Sequence, residues 1–188
     1  MGVAIEQLKK EHSAIERMLA ILELVNRKLQ AGEPVDAAHV SQIIEFFHGF
    51  ADECHHGKEE TVLFPALEKV GIPREGGPVG VMLHEHDQMR GYLRGVGQAV
   101  ERMRAGEVGA AYDIVRYAGD YASTLRRHID KENNMLFRMA EMRLGPDQEQ
   151  RLAERFEAVE TEKMGAGKHE ALHALLDRLE GIYLGGKT

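Results

Sequence analysis

Apolar residues recur along this chain at alternating steps of three and four. From about Val3 to Gln30 the stripe reads Ile5, Leu8, His12, Ile15, Leu19 and Leu22. From Val79 to Ala105 it reads Met82, His86, Met89, Leu93, Val96, Val100 and Met103. From Val108 to Arg143 it reads Ile114, Ala118, Tyr121, Leu125, His128, Glu132, Met135 and Met139. Such spacing puts each set on one face of an α-helix, in seams suited to bundle packing. A further helix is predicted from Asp36, a good N-cap, to Val70, where Gly71 and Pro73 close it. Gly32, Gly106 and Gly145-Pro146 break the chain between segments, and two shorter helices follow at Asp147–Lys163 and Lys168–Tyr183. Short connections favour antiparallel neighbours. The expected fold is all-α: an antiparallel up-down-up-down four-helix bundle over residues 1–145, with a C-terminal helical extension, 146–188, packed on it.

The histidines interrupting the seams change the picture. Shifted by 74 residues, Glu11-His12 falls on Glu85-His86; shifted by 73, His55, Lys58, Glu59 and Leu63-Phe64 fall on His128, Lys131, Glu132 and Leu136-Phe137. Each half thus has one lone histidine, then His-x-x-x-Glu. Residues four apart share a helix face, so an imidazole and a carboxylate so placed can bind one ion or bridge two. Buried and unpaired, these groups would cost several kcal/mol each, which a metal removes by taking them as ligands. The expected ligands are His12, His55, Glu59, His86, His128 and Glu132. The repeat pairs His55 with Glu59, so it assigns the adjacent His56 and Glu60 to the outer face. This donor set suits iron, zinc, nickel or manganese, and the scarcity of thiolate argues against a structural zinc site.

The remaining composition narrows the field. A net charge of −7 without a basic cluster argues against a nucleic-acid partner. No apolar run reaches the roughly 20 residues of a membrane span, the start lacks the pattern of a signal peptide, and one cysteine forms no internal disulfide. A cytoplasmic monomer or homodimer is expected. Cys54 reads as a small buried hydrophobe, His84 as solvated, and His169 with His173 as a polar helix face.

The pieces LKKEH (8–12), HHGKEETVLFP (55–65), EHD (85–87) and HIDKE (128–132) resemble the hemerythrin-like, or HHE cation-binding, domains over about residues 3–143. The resemblance implies two non-haem iron ions, oxo- or hydroxo-bridged, held by the six residues above. It also implies a small ligand such as O2, NO or peroxide that is bound or sensed. An enzyme on the same site (peroxidase-like, NO-reducing or repairing iron centres) and a metal-dependent regulatory module fit the same residues. Oxygen-carrying hemerythrins have a second histidine one turn before the one matching His86, where this chain has Met82, and Glu132 replaces a bridging Asp. That departure tells against simple reversible oxygen carriage. His48 and Tyr121, seven residues before His55 and His128, are the expected substitutes as ligand or as hydrogen-bond partner.

Overall fold

A computed structural model describes residues 2–165 and 167–185, and among these every regular element is helical. Helix α1 is Val3–Gln30. Helix α2 runs over residues 37–69, opened by Asp36, whose carboxylate accepts from Ala38 N–H at 2.8 Å. Helix α3 is Pro78–Arg104, with Pro78 in the first turn, where its missing N–H costs nothing. Helix α4 spans 110–143, two residues shorter at its start than expected because Gly109 turns the chain at φ 91°. Helices α5 (Pro146–Met164) and α6 (Lys168–Glu180) follow.

Helix α4 packs on α3 and α1, α2 packs on α3, and α5 and α6 both pack on α1. Close approach of α3 and α4 depends on Gly95, where a Cβ would meet the Tyr117 ring at 2.7 Å. Helix α5 also reaches the start of α1: Glu149, 4% exposed, accepts from the N–H groups of Ala4 and Ile5 at 3.0 and 3.3 Å. A carboxylate there satisfies orphan donors and faces the positive end of the helix dipole.

Two hydrophobic cores result, and the seam histidines lie between them. One gathers Ile5, Leu8, Leu63, Phe64, Met82, Leu136, Phe137 and Phe156; the other gathers Ile15, Leu19, Phe46, Phe47, Met89, Leu125 and Tyr121. On each long helix the chain passes from one core to the other through a histidine: His12 between Leu8 and Ile15, His86 between Met82 and Met89. The apolar layers thus clamp a single polar layer across the bundle.

Helices α2 and α4 are not uniform where they cross that layer. Residues Phe47–His56 and Glu59–Leu63 of α2, and Glu132–Leu136 of α4, have π-helical turns. A π turn closes its hydrogen bond five residues on, so it holds more residues per turn and neighbouring side chains diverge less. That geometry decides which histidines of α2 face inward.

Candidate metal centre

Helix α1 supplies His12, α2 supplies His55, His56 and Glu59, α3 supplies His86, and α4 supplies His128 and Glu132; each is at most 2% exposed. The six residues expected from the repeat meet in the polar layer, together with a seventh, His56. The outer-face assignment of His56 is therefore corrected. In the π-helical stretch ending at His56, adjacent side chains diverge less, so His55 and His56 both turn inward. His56 stacks on His86 with ring centroids 3.9 Å apart. Glu60 is not an outer-face residue either; a quarter exposed, it bonds the far nitrogen of His86 at 2.6 Å.

The donor atoms fall into two groups, in each of which all lie within 4.8 Å of one another: His56, Glu59, His86 and His128, and His12, His55, Glu59 and Glu132. Glu59 is common to both. His12 Nε2 lies 3.1 Å from Glu132 Oε2, His128 Nε2 3.3 Å from its Oε1, and His86 Nε2 3.4 Å from Glu59 Oε2.

Each of the five imidazoles is anchored from behind. Nδ1 of His55 meets Glu11 at 2.8 Å, that of His56 meets Asp52 at 3.4 Å, and that of His128 meets Glu85 at 3.0 Å. Nδ1 of His86 meets Glu60, and that of His12 meets Asn133 at 2.9 Å. With Nδ1–H donated to an oxygen, the Nε2 lone pair is directed at the centre, the tautomer a metal requires. The anchors are themselves held. Lys58, fully buried, donates to Glu11 at 2.6 Å and to Glu160 at 2.7 Å; Lys131 donates to Glu85; Arg90 donates to Asp52 and Glu60, both at 2.8 Å.

The electrostatics fit a cation. Burial lowers the basicity of His55 and His86 and takes His56 down to about 4, so these rings are neutral near pH 7. Burial, then the charge of Glu132, pushes Glu59 well above the carboxylate range. Burial acts upward on Glu132 too, but His128 and His12 outweigh it and hold it low. The Nε2 atoms of His55 and His56, both oxygens of Glu59 and Oε1 of Glu132 are buried without a hydrogen-bond partner among the described residues. Unpaired buried polar atoms are rare and expensive, and these all belong to the same layer. Metal binding fits: it would supply partners for these atoms and offset the buried negative charge.

The other expected residues divide. Tyr121 is buried against Phe47, ring centroids 4.9 Å apart, and its hydroxyl has no partner among the described residues. His48 points outward, its side chain 61% exposed and 3.7 Å from Glu53. Met82 belongs to the apolar core, and the fifth imidazole of the layer comes from His56. Cys54 is buried and desolvation pushes its thiol up to about 11, which favours the protonated form. His84 is exposed, as expected, while His169 and His173 are half-buried and pack against Phe50.

Comparison with known proteins agrees with this geometry. Residues 3–140 match the hemerythrin HHE cation binding domain. A protein of Musicola paradisiaca (strain Ech703), "Iron-sulfur cluster repair protein YtfE", is 35% identical over 86 residues, 44% of this chain and 38% of that protein. The protein of the same name from Yersinia pseudotuberculosis (strain PB1/+) is 33% identical over 85 residues, and that from Dickeya chrysanthemi (strain Ech1591) 32% over 85, with the same coverage. The match therefore spans well under half the length of these relatives. No solved structure matches significantly. No helix among the described residues is long and apolar enough to cross a membrane. A polar layer built from both halves of a duplicated sequence, within a match covering most of the chain, places this protein in the hemerythrin HHE cation-binding domain family.

Proposed function

We propose that the chain is a non-haem di-iron protein that binds or senses a small ligand, O2, NO or peroxide, in its polar layer. The observation that carries this reading is the convergence of five back-anchored imidazoles on two carboxylates whose inner atoms have no partner. His56, Glu59, His86 and His128 would hold one iron, and His12, His55, Glu59 and Glu132 the other. Four donors to each group leave positions open at an ion that accepts six. Iron so held supplies reversible one-electron chemistry and open sites for a diatomic molecule or peroxide. The protein's own part is to keep the rings neutral, fix their tautomers through Glu11, Asp52, Glu60, Glu85 and Asn133, and exclude water with the two cores on either side.

The scaffold in this reading is an antiparallel four-helix bundle of α1 to α4, residues 1–145, with 146–188 as a covering extension in a cytoplasmic monomer or homodimer. A second reading, repair of iron-sulfur centres, is supported by the names of the relatives similar over 44% of the chain. It predicts iron that leaves readily to an acceptor.

The experiment is metal analysis and visible spectroscopy of protein purified without added metal. Two irons per chain, with an oxo-bridge absorption band under air, are expected. One tightly held zinc and a featureless spectrum would sink the proposal. Iron transfer to a chelator within minutes would favour repair, and retention over hours would favour ligand binding.

A further inference from the structure

On the side of α2 and α3, the polar layer is approached from the surface by Asp52, Arg90 and Arg94. An open recess of about 300 Å³ is lined by Ile44, His48, Asp52, Arg90, Leu93 and Arg94. Behind it lies a cavity too narrow to hold a water, where Asp52, Arg90 and Leu93 recur beside His56, His86 and Tyr121. The two spaces share a wall, and the Arg90 guanidinium, held by Asp52 and Glu60, stands between them.

The duplicated sequence provides an internal control. The residues equivalent to Asp52, His56, Met89 and Leu93 are Leu125, Ile129, Ile15 and Leu19, all apolar and at most 3% exposed. There the wall is closed by core packing; here it is polar. At the outer end Arg94 makes no salt bridge among the described residues. At the inner end the Tyr121 hydroxyl is buried with no partner among the described residues, an unfavourable state that a ligand taking the bond would relieve.

From this juxtaposition, and resting on the ligand-binding reading above, we infer that the recess is the entry for small monovalent anions. Arg94 attracts the anion, the Arg90–Asp52 pair closes behind it, and the Tyr121 hydroxyl donates a hydrogen bond to it beside His56. The residues assigned here are Arg94 for attraction, Arg90 for closure and Tyr121 for positioning.

The test uses iron-loaded ferric protein and azide, followed by the azide-to-iron absorption band in stopped flow, with iron content measured for every variant. Arg94→Glu should slow azide association about tenfold at low ionic strength, the difference vanishing at high salt. Leu93→Phe, which narrows the passage, should slow it at all salt concentrations. Tyr121→Phe should leave association unchanged and speed release by about five- to tenfold, the worth of one hydrogen bond. Unchanged association in both Arg94→Glu and Leu93→Phe overturns the route while leaving the ligand-binding reading intact. Slower entry in Leu93→Phe without a salt-dependent effect of Arg94→Glu overturns the choice of anions. Iron-loaded wild type that never develops an azide band overturns the ligand-binding reading, and the route with it.

Discussion

The two halves of the polar layer are built on one plan and differ at four places. In both, a glutamate on the lone-histidine helix reaches back to the histidine of His-x-x-x-Glu, Glu11 to His55 and Glu85 to His128. In both, a lysine of the second motif holds that glutamate, Lys58 for Glu11 and Lys131 for Glu85. In both, the residue after the motif's glutamate anchors the lone histidine of the opposite half, Glu60 to His86 and Asn133 to His12. The differences are His56 against Ile129, Asp52 against Leu125, Glu60 against Asn133, and Lys58 fully buried against Lys131 with its side chain 31% exposed. The repeat supplies a symmetric cage, and the three substitutions among these differences give one half more nitrogen, more negative charge behind it, and a polar wall.

The largest contrast is expected at the lysines. Lys58→Met leaves Glu11, 8% exposed, without its cation and should cost about 3–5 kcal/mol. At roughly 2–4 °C per kcal/mol, thermal denaturation should fall by about 10 °C. Lys131→Met, at a partly exposed pair, should cost about 1 kcal/mol or less. Equal losses would mean that burial does not distinguish the halves.

Next comes the histidine without a counterpart. His56→Ala should lower metal affinity about as much as His55→Ala, roughly 10- to 100-fold or more by competition with a chelator. Iron retained at full stoichiometry and affinity in His56→Ala would restore the symmetric six-ligand cage and return His56 to a packing role.

The anchors behind the lone histidines should differ less. Glu60 presents a carboxylate to His86 at 2.6 Å, and Asn133 a neutral amide to His12 at 2.9 Å. A charged acceptor makes the stronger bond. Glu60→Gln should therefore weaken metal binding about tenfold, and Asn133→Ala only a few-fold. The reverse order in metal titrations would show that charge behind the ring is not what distinguishes the two sides.

The smallest effect is expected at Cys54, buried where the repeat places the exposed Arg127. Cys54→Ala should change stability by about 1 kcal/mol and leave the iron spectrum unaltered. The native thiol should resist alkylation at pH 8, because burial keeps it protonated up to about 11. Rapid alkylation of folded protein would contradict its placement in the core.

Much of this was legible in the sequence. Seam periodicity located the helices to within a residue or two at most ends, since Asp36, Pro78 and the glycines at 32 and 106 mark boundaries through chemistry that needs no tertiary context. The repeat brought six of the seven layer residues together. His56 escaped because two assumptions failed at once: that α2 keeps α-helical periodicity, and that the halves are equivalent. A signal was present. Asp52 sits four residues before His56, and its charge has no equivalent at Leu125. The anchoring roles of Glu11 and Glu85 were also written in the repeat, each beside a lone histidine, but their contacts cross to another helix and no single-helix pattern shows them. Tyr121 and His48 occupy equivalent positions yet part company, one into the core and one to solvent, because the wider turns begin at Phe47 on α2 and only at Glu132 on α4.

Those wider turns also set how this chain tolerates insertion and deletion. Removing one residue from a loop such as 71–77 leaves every helix facing as before. Removing one between 47 and 63 returns a wide turn to ordinary α-helical winding, which keeps the two ends of α2 in phase but spreads adjacent side chains within the segment to about 100° apart. His55 and His56 would no longer face the layer together, although composition, charge and hydrophobic content would scarcely change. A single lost codon there would take one of these two histidines out of the layer while every ligand's identity stays in the sequence.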